Sequence, residues 1–158
     1  MKKRILIIDD DASIRSSLEK ILTENGYQLT VAADGDSAQS EFAQADLLIL
    51  DLNLPIQDGW DILGQVSAGY PLLPVIVITG LADQLDDRTI PGASAFLEKP
   101  IEVPALLQTM ERLLNQTTEE RVATSKRFSE LWQPSASRLA GQRRAKAGAQ
   151  ALKRFKAH

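Results

Sequence analysis

Leu47-Leu48-Ile49-Leu50-Asp51-Leu52-Asn53-Leu54-Pro55 is the stretch whose reading decides the fold. Four apolar residues in a row, Leu47 to Leu50, read as a strand covered on both faces, as central strands of parallel sheets are. The run ends on a carboxylate, Asp51, and Pro55 and Asp58-Gly59 beyond it mark a loop. The same pattern, an apolar run closed by a polar residue, recurs on either side. Arg4-Ile5-Leu6-Ile7-Ile8 leads into Asp9-Asp10-Asp11, Val75-Ile76-Val77-Ile78 into Thr79, and Ala95-Phe96-Leu97 into Lys99. Tyr27 to Ala32 reads as one more strand.

Helical patterns fill the intervals. Asp11 or Ser13 can cap a helix whose Ile14, Leu18, Ile21 and Leu22 form one stripe, stopped by Asn25-Gly26. Asp36 to Ala45 reads as a helix with Ala38, Phe42 and Ala45 inward. Asp58 to Ala68 is the next, with Ile62, Leu63 and Val66 inward. Leu81 to Ile90 is thin in apolar residues, so a helix there is expected to be short or irregular. Glu102 to Leu114 carries Leu106, Leu107, Met110 and Leu113 on one face. Strands alternating with helices predict an α/β fold, a parallel sheet with helices on both faces. Ligands of such sheets sit beyond the carboxyl ends of the strands. Asp9, Asp10, Asp51, Thr79 and Lys99 all fall there.

Each of these residues alone suits a structural role: a turn, a helix cap, a solvated strand end. Together they suit phosphoryl chemistry. Asp9 and Asp10 repel one another and favour a hard divalent cation between them, Mg²⁺ above all. Asp51, beside such a cation, can act as a nucleophile on phosphorus. Thr79 can donate to a phosphoryl oxygen, Gly80 leaves room for one, and Lys99 supplies a point charge.

In this order and spacing, the motifs Ile7-Ile8-Asp9-Asp10-Asp11, Leu50-Asp51-Leu52-Asn53-Leu54-Pro55 with Asp58-Gly59, Ile78-Thr79-Gly80, Gly92-Ala93 and Phe96-Leu97-Glu98-Lys99-Pro100 resemble the receiver domain of two-component response regulators, over about residues 3–114. The resemblance implies a doubly wound, five-stranded CheY-like sheet of order 2-1-3-4-5. It implies that Asp51 is the phosphoacceptor, charged by a sensor histidine kinase or phosphotransfer protein, and that the chain is a signalling domain rather than an enzyme. It implies that Mg²⁺ is held by Asp9, Asp10, Asp51 and the backbone carbonyl of Asn53. Thr79 and Phe96 take the places of the switch pair, Lys99 contacts the phosphoryl group, and the Lys99-Pro100 bond is cis. Between Thr79 and Lys99 the chain is about two residues shorter than the family pattern. The nearest enzyme alternative is a haloacid-dehalogenase-type phosphatase, opening at Asp9-x-Asp11, which would be phosphorylated on Asp9. A docking module independent of phosphorylation is the other alternative.

Composition bounds the rest. Among 158 residues there is no cysteine and a single histidine, the terminal His158, which argues against a disulfide framework, a thiolate or His metal site and a histidine phosphotransfer role. No run is long enough for a signal peptide or a membrane span, so a cytoplasmic protein is expected. Residues 1–114 hold 8 Lys/Arg and 18 Asp/Glu, a net charge of −10, whereas residues 115–158 hold 10 and 3, a net charge of +7. The expected division is a receiver at 1–116 and a basic tail at 117–158. Thr117-x-x-Glu120 resembles a capping box, from which a helix can run to Trp132 with Val122, Phe128, Leu131 and Trp132 as a partial apolar face. The remainder to His158 is Ala-rich and basic, expected as a solvated or disordered tail. Nucleic acid, an output protein or a second copy of the chain are its candidate partners.

Overall fold

The computed structural model describes residues 2–54, 59–80 and 92–131, with side chains through Thr124. Five strands, β1 (Arg4–Ile8), β2 (Gln28–Ala32), β3 (Leu47–Asp51), β4 (Val75–Thr79) and β5 (Ala95–Glu98), form one sheet of order β2-β1-β3-β4-β5. Every neighbouring pair is parallel. This is the expected order. β3 and β4 are buried throughout and β1 at all but Arg4, which is why they read as unbroken apolar runs. The edge strands β2 and β5 are more exposed.

Side chains alternate across this sheet and sort into two cores. Leu6, Ile8, Leu48, Leu50, Val75 and Val77 pack with Phe42, Ile62, Leu63 and Val66 on one face. Ile5, Ile7, Leu47, Ile49, Ile76 and Ile78 pack with Leu18, Leu22, Leu106, Met110 and Leu113 on the other. The first face is covered by α2 (Gly35–Ala38), a 3-10 helix (Gln39–Gln44) and α3 (Gly59–Gly69). The second is covered by α1 (Ala12–Glu24) and α4 (Val103–Leu114). Each fully buried Leu or Ile contributes about 1.5–3 kcal/mol relative to exposure.

Asp11 caps α1 by accepting from the N–H groups of Ser13 and Ile14. The expected helix over Asp36 to Ala45 differs. Only Gly35–Ala38 is α-helical, and the chain then tightens into the 3-10 helix. Gly35, Asp36, Ser37 and Ser40 are weak helix formers, so packing rather than propensity shapes the segment. Ala38 and Phe42 still reach the core, and Ala45 packs against it. The helix expected over Leu81 to Ile90 lies outside the described residues, as do Asp58 and the tail from Trp132.

α5 (Thr118–Leu131) follows α4 after three residues. Thr117 and Glu120 form the expected capping box, with Glu120 N–H donating to Thr117 Oγ1 at 3.1 Å and Thr117 N–H to Glu120 Oε2 at 2.8 Å. Arg121 Nη2 also donates to the main-chain oxygens of Leu113 and Leu114, 3.4 Å each, at the open end of α4. Among the described residues, no helix is long and apolar enough to cross a membrane.

Candidate functional site

Three strand tips build the site. Asp9 follows β1, Asp51 ends β3 and Lys99 follows β5. Each continues the odd-numbered positions of its strand, the set that faces α1 and α4. Thr79 ends β4 on the opposite parity, with Val75 and Val77. Hydrogen bonding carries the ladder past the strand ends: Asp9 N–H donates to Ala32 O at 3.2 Å, Leu52 N–H to Ile78 O at 3.2 Å and Lys99 N–H to Thr79 O at 3.0 Å. The Lys99-Pro100 bond is cis.

Asp9, Asp51 and Thr79 are buried, each 2% exposed or less. Asp51 Oδ1 accepts the Asn53 N–H at 2.9 Å, and Asp51 Oδ2 accepts from Lys99 Nζ at 3.0 Å. Asp9 Oδ1 accepts the Asp11 N–H at 2.9 Å, and its Oδ2 lies 3.5 Å from Lys99 Nζ. Asp10 is exposed, yet it offers a carboxylate oxygen to the same cluster. The ligand atoms of Asp9, Asp10 and Asp51 all lie within 4.8 Å of one another.

The charges fit a cation. Burial pushes the Asp9 carboxyl above its ordinary 3.8, and the Asp51 and Asp10 charges add to the rise, while the Asp11 N–H and Lys99 oppose it. Burial alone would lower Lys99, but the charges of Asp51 and Asp9 outweigh it and hold its ammonium above 10.5. Two buried carboxylates therefore share one ammonium, with the Asp10 carboxylate beside them. Hard oxygen donors this close, two of them buried, match the donor set of Mg²⁺.

The structure thus brings Asp9, Asp10, Asp51 and Lys99 together, with Thr79 at the tip of the adjoining strand. Phe96 pairs with Val77 in register, one pleat behind Thr79 on the same face, and is packed against that face's core. Asn53 enters through its N–H.

Two further residues shape the site. A Cβ at Gly59 would stand 2.5 Å from Leu52 Cα and 2.7 Å from the Asp51 main-chain oxygen, so only glycine lets α3 start against the tip of β3. Its signal was the Asp58-Gly59 pair. Arg15 Nη1 donates to the Asp9 main-chain oxygen at 2.7 Å. Its only trace in the sequence is a position on the first turns of a helix that follows the acidic triplet.

Residues 5–111 match the response regulator receiver domain family. Response regulator MprA of Mycobacterium tuberculosis is 37% identical over 138 residues, covering 83% of this chain and 60% of MprA. MprA of Mycobacterium avium is 36% identical over 127 residues, 77% of this chain and 55% of that protein. The chain thus spans about 60% or less of the length of these relatives. Among solved structures, the receiver domain of NtrX from Brucella abortus superposes with a TM-score of 0.65 at 31% identity, over 72% of this chain and 99% of its own. Response regulator TrrA from Thermotoga maritima, in complex with Mg²⁺-BeF, gives 0.64 at 28% identity, over 70% and 98%.

Proposed function

This chain belongs to the response regulator receiver family and is a phosphoacceptor signalling domain rather than a classical enzyme; from that premise we infer that Asp51 is the residue that accepts the phosphoryl group, in a reaction requiring Mg²⁺ at Asp9, Asp10 and Asp51. The observation that carries this is the pose of Asp51: buried at a strand tip, within 4.8 Å of two other carboxylates, with Lys99 on its Oδ2.

A carboxylate oxygen of Asp51 forms a bond to phosphorus as the P–N bond to a donor histidine breaks. The donor imidazole keeps that electron pair, and an acyl phosphate remains on Asp51. The donor is a sensor histidine kinase or a phosphotransfer protein. Mg²⁺ would be held by the carboxylates of Asp9, Asp10 and Asp51 and the Asn53 carbonyl, and would supply positive charge against the carboxylates and the incoming phosphoryl group. Lys99 turns its ammonium from Asp51 Oδ2 to a phosphoryl oxygen. Thr79 donates its hydroxyl to another. Phe96, on the same face one pleat behind, follows Thr79 inward, and this repacking is the signal.

The receiver occupies residues 1–116 and acts in the cytoplasm. The basic tail, 117–158, meets the output: a protein, a second copy of the chain or nucleic acid. Intact-mass spectrometry after incubation with acetyl phosphate and Mg²⁺ tests the assignment. One phosphoryl group is expected on the wild type and none on Asp51→Asn. Equal labelling of both would overturn it, and a phosphoryl group mapped to Asp9 would favour the haloacid-dehalogenase reading.

A further inference from the structure

We propose that Arg15 is a positioning residue of the Mg²⁺ site, acting through the main chain of Asp9; this rests on the reading of Asp9, Asp10 and Asp51 as metal ligands. Asp9 is tied down at three points. Its N–H is held by Ala32 O at 3.2 Å, its Oδ1 by the Asp11 N–H at 2.9 Å, and its carbonyl oxygen by Arg15 Nη1 at 2.7 Å. The first tie comes from β2, the second from the turn itself and the third from α1. Asp9 Oδ2 is thereby left facing Lys99 and the carboxylate cluster. The carbonyl that Arg15 grips leads directly into the peptide of Asp10. The one hydrogen bond therefore orients both the buried and the exposed carboxylate. It is short and charge-assisted, and removing its donor leaves the carbonyl of a buried residue without that partner.

Two effects of opposite sign follow from removing Arg15. Loss of its positive charge beside an acidic cluster would favour a cation. Loss of its hydrogen bond would let the Asp9-Asp10 turn relax and disfavour one. Arg15 meets Asp9 at its neutral main-chain oxygen, whereas the ion pairs to the cluster's carboxylates come from Lys99. The ordering effect therefore outweighs the loss of charge. Groups that orient metal ligands from behind typically change affinity 10–100-fold when removed, and a loss on the order of tenfold is expected.

The test is a titration of the full-length protein with Mg²⁺ alone, followed by calorimetry, for the wild type, Arg15→Met and Arg15→Lys. Labelling rate by acetyl phosphate is measured against Mg²⁺ concentration in parallel. Arg15→Met should need about tenfold more Mg²⁺ for half-maximal rate and regain the wild-type rate at saturation. A merely structural role would instead lower the rate at every Mg²⁺ concentration. Arg15→Lys, which keeps the charge but not the planar fork, should weaken Mg²⁺ in the same direction. It carries the test alone if Arg15→Met does not fold. Unchanged or tighter Mg²⁺ binding in the folded variants overturns the proposal. Failure of the wild type to bind Mg²⁺ would instead sink the reading of the acidic cluster.

Discussion

Asp9 and Asp51 hold their carboxylates in the same pose. In each, Oδ1 accepts the backbone N–H of the residue two positions on, at 2.9 Å, and Oδ2 turns to the single ammonium of Lys99. The two tips are built alike because β1 and β3 are adjacent parallel strands that end level with one another. Two buried negative charges then depend on one partly exposed positive one.

Without metal, ionised Asp9 disfavours the fold. Its folded pKa is raised above 3.8, so between the two values the native state holds more proton than the unfolded chain. Stability therefore falls as pH rises from about 3.8 through the raised value, and levels off above it. Asp9→Asn should melt higher than the wild type at pH 7 in EDTA, with the difference vanishing towards the acid end. Lys99 does not disturb this window, because its contribution is lost only as pH climbs through a pKa above 10.5. A pH series of melting curves decides it; a variant less stable than the wild type at neutral pH would contradict the sign.

Mg²⁺ should relieve the same repulsion. At about 100 times its Kd it should add about 2.7 kcal/mol at neutral pH, or roughly 5–11 °C in Tm for a chain of this size. The shift should shrink as acid protonates Asp9, since protons and metal compete for one oxygen. A thermal melt with and without Mg²⁺, at neutral and acid pH, measures both.

Gly59 and Gly64 sit in one helix and should respond to alanine in opposite directions. A Cβ at Gly59 runs into the backbone of Asp51 and Leu52, whereas at Gly64 it meets nothing within 4 Å. Gly59→Ala should cost about 1–3 kcal/mol and slow labelling by displacing Asp51. Gly64→Ala should gain about 0.5–1 kcal/mol and leave labelling alone. Denaturant titration of the pair is sufficient; equal effects would mean that α3 does not press on the tip of β3.

A chain cut after Asn115 should still fold and label on Asp51, because both cores lie before that point. A chain cut after Thr124 should be the more stable by about 1–2 kcal/mol, since it keeps a capping box and the Arg121 bonds to the end of α4. Chemical denaturation of the two truncated chains compares them directly. Equal stability would make α5 a passive appendage.

Strands were legible because β1, β3 and β4 are buried on both faces and leave no room for polar residues. The site was legible for a related reason: Asp9, Asp51 and Thr79 are polar interruptions at the ends of those runs, and although each alone suits a turn or cap, together they fall on one edge of the sheet. The parity of 9, 51 and 99 even tells which face they share. The 3-10 winding at Gln39–Gln44 was not legible, because weak helix formers take whatever shape packing gives them. Arg15 was hidden for a different reason. Its bond goes to a main-chain oxygen, which every residue possesses, so no partner residue type betrays it.

The two cores share only the sheet between them. Asp51 and Lys99 belong to the α1–α4 side, Thr79 and Phe96 to the α3 side, and the backbone of β3, β4 and β5 is the bulkhead dividing them. Substitutions that repack Phe96 on the α3 side can therefore leave Asp51 and Lys99 untouched, and Thr79, at the tip of β4, is the point where the two sides meet at one edge of the sheet.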